Sequence, residues 1–108
     1  LSKRYAKFDL SKRTLLPTWG YVYLLKSSDA YKIGMSTDTA KRKKRIEKDK
    51  KMNLEFIHEF PSNDYERAEA TLHLEFAHCR RGRTEFFDLS VAEVDQILNI
   101  SQMDFPLP

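Results

Sequence analysis

The chain has 108 residues, 41% hydrophobic and 32% charged, the size and balance of one globular domain rather than of a disordered segment. A single cysteine, Cys79, excludes an intrachain disulfide framework and points to a reducing, cytoplasmic setting. No apolar run approaches the roughly 18 residues that span a bilayer, so no membrane segment is expected, and the modest net charge of +3 conceals a concentration in which eight of the 19 basic residues fall between Lys41 and Lys51.

Residues 1–19 carry Lys3, Arg4, Lys7, Lys12 and Arg13 without a helical or strand period and read as a basic N-terminal arm. From Tyr21 to Leu25 the residues are aromatic and branched, as in a strand, and the polar Ser27-Ser28-Asp29 gives turn chemistry before the short run from Tyr31 to Ile33. The pair predicts a β-hairpin. Thr37 and Asp38 suit an N-cap, and residues 40–49 are rich in Lys and Arg, so a basic helix follows whose thin apolar face is Ala40 and Ile46. Such a run suits a polyanion, although a basic run is more often only a solvated helix face.

Residues 54–60 alternate, with Leu54, Phe56, His58 and Phe60 on one face and Glu55, Ile57 and Glu59 on the other, which predicts a half-buried strand joining the hairpin. Pro61 stops it. Asn63 with Glu66 three residues later resembles a capping box and opens a helix to about His78, with Tyr65, Ala68, Leu72 and Phe76 packed inward and Glu66, Glu69 and His73 as a polar line beside them. Arg80, Arg81, Gly82 and Arg83 form a basic turn, residues 85–89 a short strand, and Ser90 with Glu93 starts a last helix on Val91, Val94, Ile97 and Leu98. The tail, residues 101–108, is expected to be loosely held. His73, His78 and Cys79 do not read as a structural zinc site, because a spacing of five does not place two imidazoles on one helical face.

The segments Tyr21-Val22-Tyr23 and Lys32-Ile33-Gly34, followed by Arg42 and by Glu69 before Leu72-His73, resemble the GIY-YIG endonuclease superfamily, and within it a compact phage and bacterial branch whose second motif reads Lys-Ile-Gly. The spacings are nine residues from Tyr23 to Lys32, ten to Arg42 and 27 more to Glu69. The resemblance implies an α+β fold, a small three-stranded antiparallel sheet flanked by helices, over residues 20–100. It implies a divalent-metal-dependent endonuclease hydrolysing phosphodiester bonds in DNA, double-stranded by preference. Lys32 stands where most members have tyrosine, and Ile46 where some have histidine.

Under that resemblance Glu69 would hold Mg²⁺ or Mn²⁺, which keeps several waters and needs only one or two protein carboxylates. Arg42 would donate a bidentate pair of hydrogen bonds to the scissile phosphate. Tyr23 or Lys32 would orient or deprotonate the attacking water, with Tyr21 and His73 as auxiliaries. Lys41, Lys43, Lys44, Arg45, Arg80, Arg81 and Arg83 would hold flanking phosphates. No residue reads as base-specific, which places sequence choice in a fused or associated module or in a homodimer. The other reading is a non-catalytic nucleic-acid-binding domain of the same fold, and a third is a protein-interaction domain using an exposed sheet edge.

Overall fold

The computed structural model describes residues 19–48 and 53–106, so the expected N-terminal arm, Trp19 apart, lies outside the described residues. β1 (Gly20–Lys26) and β2 (Tyr31–Ser36) form the expected hairpin. Its turn closes on Ser27, whose N–H donates to the Ala30 carbonyl at 2.8 Å while its hydroxyl oxygen accepts from the Ala30 N–H at 3.0 Å. α1 (Thr39–Lys48) follows, capped as read: Asp38 Oδ1 accepts from the Lys41 N–H at 3.0 Å. β3 (Glu55–Ser62), α2 (Tyr65–Glu75), a 3₁₀ turn (Ala77–Cys79), β4 (Phe86–Phe87) and α3 (Val91–Leu98) complete the order.

The sheet has four strands in the order β3-β1-β2-β4, every neighbouring pair antiparallel, which corrects the expected three. The fourth is only two residues long, with Phe86 opposite Lys32 and Phe87 opposite Tyr31. A segment that short has too few alternating positions to announce its partner in the sequence.

Strand alternation divides the sheet into two unequal faces. On one, Val22, Leu24, Ile33 and Phe60 pack against Ala68 and Leu72 of α2, Phe76 at its C-cap, Phe87 of β4 and Ile97 of α3, forming the main core. Each such side chain contributes about 1.5–3 kcal/mol by leaving water. The other face carries Tyr21, Tyr23, Leu25 and Gly34 and is covered by α1. A bulge in β3 changes the expected alternation: His58 pairs with Leu24 but Phe56 with Leu25, so Ile57 is the extra residue. Phe56 therefore joins Tyr23 on the α1 face while Phe60 stays in the core.

α2 begins one residue later than the Asn63 cap predicted. Asp64 is the N-cap and accepts from the Arg67 N–H at 3.3 Å. Asn63 is used elsewhere: its amide donates to the Phe105 carbonyl at 2.8 Å and its carbonyl oxygen accepts from the Phe105 N–H at 2.9 Å. With Met103 N–H donating to the Pro61 carbonyl and the Arg67 guanidinium 4.3 Å from the Phe105 ring centroid, the tail through Phe105 is held against the β3–α2 junction, not loose. α3 has the expected capping box between Ser90 and Glu93. No described helix is long and apolar enough to cross a membrane.

Candidate nucleic-acid interface

The α1 face is organised around one aromatic ring. Tyr23, 3% exposed, lies across its partner strand, so that a Cβ built on Gly34 would fall 2.5 Å from its Cζ and Oη. Only glycine fits opposite that ring. The ring of Phe56 flanks it with centroids 6.0 Å apart, and the Arg42 guanidinium stands 6.0 Å from its centroid, at the outer range of a cation–π contact. Lys43 makes a comparable approach to Phe56 at 5.5 Å.

Arg42 reaches Tyr23 because α1 has so few apolar residues to bury. Among its described side chains Thr39, Arg42 and Ile46 are half-buried, whereas Ala40, expected inward, is exposed. Lys41, Lys43, Lys44 and Arg45 remain exposed. Between α1 and the end of β2 lies an open cleft of about 380 Å³ lined by Ser36, Thr37, Asp38, Lys41, Arg42 and Arg45. Its floor is fixed by reciprocal bonds, the Ser36 hydroxyl donating to the Asp38 carbonyl and accepting from the Asp38 N–H, both at 3.0 Å. Lys41, Arg42 and Arg45 line it against the single carboxylate of Asp38, three positive charges and one negative, so the cleft carries a net charge of +2.

Of the other residues singled out, Lys32 and Tyr21 are half-buried on this same face, Lys32 opposite Leu25 and Tyr21 opposite Ser36. Glu69 is placed differently. It lies on α2 and is 1% exposed, with both carboxylate oxygens withdrawn from solvent. A hydrated Mg²⁺ or Mn²⁺ needs room for several waters and for phosphate oxygens, so the carboxylate as it stands does not fit that role. His73 is engaged structurally, its Nε2 3.0 Å from the Ile33 carbonyl oxygen and its ring 5.0 Å from that of Phe87.

The basic turn after α2 also proves to be scaffold. The Arg81 guanidinium donates to Asp88 Oδ1 at 2.7 and 3.0 Å and to Asp29 Oδ2 at 3.2 Å, joining the β4 segment to the hairpin turn. These bonds raise the arginine's already high pKa and hold the Asp88 carboxyl below its ordinary value, the arginine hydrogen bond being the main cause in the latter. Arg80 donates to the Thr84 carbonyl at 2.6 Å and lies 5.8 Å from the Phe87 ring. Gly82 takes φ +57°, a left-handed turn position that glycine enters without penalty. Arg83 is exposed and, among the described residues, makes no side-chain hydrogen bond or ion pair.

Sequence reasoning missed Phe56 as a neighbour of Tyr23, and Ser36 and Thr37 as cleft residues. The Ser-Thr-Asp run before a basic helix was the available signal, read only as a cap.

The family model that matches the chain is that of the T5orf172 domain, over residues 20–102. No curated protein and no solved structure matches. The match corrects the resemblance to the GIY-YIG superfamily, for which no family model is found. The physical reason is visible in the hairpin: an aromatic ring laid on its neighbouring strand demands a glycine opposite it, so Tyr23 and Gly34 satisfy a local packing rule that is not particular to one family. The matched family is phage-associated, nuclease-like and DNA-binding. With 83 of its 108 residues inside the match, the chain belongs to the T5orf172 domain family.

Proposed function

We propose that this domain binds the phosphodiester backbone of double-stranded DNA on its α1 face and hydrolyses it there. The observation that carries the reading is the position of Arg42, which lines the cationic cleft with Lys41 and Arg45 and also stands over Tyr23. A phosphate in the cleft would take two parallel hydrogen bonds from the Arg42 fork, with Lys41 and Arg45 on flanking phosphates. Hydrolysis joins a water oxygen to phosphorus, expels the leaving alkoxide and passes the water's proton to a base, and Arg42 would stabilise the charge developing on the phosphoryl oxygens. Tyr23 through its hydroxyl and Lys32 through its amine are the two groups proposed to orient the water.

The test is cleavage of plasmid and linear DNA with Mg²⁺, with Mn²⁺ and with a chelator, comparing the native chain with Arg42→Ala, Tyr23→Phe, Lys32→Ala and Glu69→Gln. Cleavage abolished in Arg42→Ala, with the fold retained, supports the proposal, and Tyr23→Phe against Lys32→Ala separates the two candidates for the water.

The burial of Tyr23 and Glu69 favours a second reading, a DNA-binding domain without hydrolysis. Salt-dependent binding without cleavage under any of these ions establishes that alternative. Binding indifferent to salt refutes both.

A further inference from the structure

The chain contains three histidines and one cysteine. Two histidines are committed to backbone carbonyls, His58 to Ile100 at 2.8 Å and His73 to Ile33 at 3.0 Å. The third, His78, sits beside Cys79 in the 3₁₀ turn after α2, where Glu93 of α3 meets both. A ring nitrogen of His78, the Cys79 sulfur and a Glu93 carboxylate oxygen all lie within 4.8 Å of one another. We propose that these three side chains form a binding site for a zinc-type divalent ion, with water as the fourth ligand.

The donor set selects the class of ion. One imidazole nitrogen, one thiolate sulfur and one carboxylate oxygen suit a borderline-soft ion of tetrahedral preference and do not suit Mg²⁺ or Ca²⁺. Bonds of about 2.0–2.3 Å in tetrahedral array separate neighbouring ligand atoms by roughly 3.3–3.8 Å. The present spacing therefore needs only small adjustment. His78 Nε2 and Glu93 Oε2 are 2.7 Å apart and must open by about 1 Å or less, and His78 is exposed and able to move.

Two of the three ligands are already positioned by the fold. Glu93 is held by the α3 capping box: Oε1 accepts from the Ser90 N–H at 2.9 Å, which leaves Oε2 directed at His78. Cys79 is anchored through its backbone, its N–H donating to the Phe76 carbonyl at 3.0 Å and its carbonyl accepting from the Asp88 N–H at 2.9 Å. On binding, the Cys79 thiol gives up its proton together with its bond to the Phe76 carbonyl, now 3.3 Å long. An exposed His–Glu pair by itself is worth little and gives no reason for the sulfur's place beside it.

Such an ion would pin the turn after α2 to the first turn of α3, on the opposite side of the sheet from α1. It would stabilise the domain without altering DNA affinity, which separates this test from that of the proposed function.

The experiment titrates the full chain, stripped by chelator and dialysed, with Co²⁺ followed by absorption and with Zn²⁺ followed by calorimetry and thermal unfolding. Because residue 79 is the sole cysteine, a sulfur-to-cobalt charge-transfer band can arise from it alone. Expected are one ion per chain, a charge-transfer band missing in both Cys79→Ala and Cys79→Ser, and binding weakened about tenfold or more in His78→Ala and in Glu93→Gln, which keeps the cap. Zn²⁺ should raise the melting temperature of the native chain and leave that of Cys79→Ser unchanged. The absence of the band, a band indifferent to both His78→Ala and Glu93→Gln, or one ion shared between two chains by native mass spectrometry overturns the proposal.

Discussion

Replacing Gly34 by alanine isolates the contact on which the α1 face is built. The new Cβ would stand 2.5 Å from Tyr23 Cζ and Oη and 2.7 Å from Cε1. Ordinary carbon contacts are about 3.5–4.0 Å, so the ring must withdraw by about 1 Å. It has little room, being buried and flanked by Phe56 and Arg42. Forcing an added methyl into a packed site costs about 1–3 kcal/mol, whereas alanine in a strand interior gains about 0.5–1 kcal/mol over glycine. The net expectation is a loss of about 1–2 kcal/mol, a fall in melting temperature of roughly 4–8 °C per kcal/mol for a domain of this size. Tyr23→Leu removes the far end of the ring, so in that background Gly34→Ala should become neutral or stabilising. Denaturant unfolding of the four proteins gives the coupling between the two positions, expected to be about 2 kcal/mol. A coupling below about 0.5 kcal/mol would refute the packing argument.

Arg42→Ala should weaken DNA binding uniformly across sequences and reduce the slope of log affinity against log salt by about 1, with Arg42→Lys restoring the slope but not the affinity, as filter binding over a salt series would show. Asn63→Ala removes both side-chain bonds to Phe105 and should cost about 1–2 kcal/mol, with faster amide exchange at Met103 and Phe105 as its local signature. The Arg81–Asp88 clasp holds the Asp88 carboxyl below its ordinary value of 3.8, so its contribution to stability is complete above that pH and lost as the pH falls through the lower folded value. Thermal unfolding followed downward from pH 5 should therefore show a steeper decline in the native chain than in Asp88→Asn. An equal decline in the two would place the clasp's effect at zero.

The fold was legible wherever one residue type satisfied both local and tertiary demands. Asp38 before a run of helix formers and Ser90 with Glu93 marked two helix starts, and both caps are made. The core stripe Tyr65, Ala68, Leu72 and Phe76 follows the helical period, and its last three members are buried in the main core. Three other features were hidden for physical reasons. A β-bulge adds a residue without any composition of its own, so the alternation from Leu54 to Phe60 pointed Phe56 to the wrong face. Asn63 is as good a cap as Asp64 by type, and only the tail forty residues later decides between them. The short strand expected within residues 85–89 is present as β4, but two residues carry too little period to show that it joins the sheet beside β2. Within the site, Arg42 and Tyr23 were identified and are brought together, whereas Glu69 is withdrawn from solvent on α2. The sequence placed Glu69 on a polar line beside the inward stripe, and its line neighbours Glu66 and His73 are half-buried where Glu69 is fully buried.

The unequal covering of the two faces explains why the sequence tolerates a buried tyrosine and a half-buried arginine together. α2 and α3 bring enough apolar surface to close one side of the sheet, and there the buried strand residues are aliphatic or phenylalanine except at the end of the sheet, where Gly20 pairs with the buried Ser62. α1 brings only Ile46, so the α1 face must be closed by side chains that are apolar along their length and polar at their ends. Tyr23, Arg42 and Lys43 all have that form, the Arg42 guanidinium approaching the buried Tyr23 ring and the exposed Lys43 approaching that of Phe56. A purely aliphatic α1 would bury this face more firmly and leave no cations at the cleft. Conversely, substituting Lys43 and Arg42 by glutamine keeps much of the covering and removes the charge. If DNA affinity then falls while stability holds, the polar closure serves binding. If stability falls to the same degree as in the double alanine variant, the charges are held for packing alone.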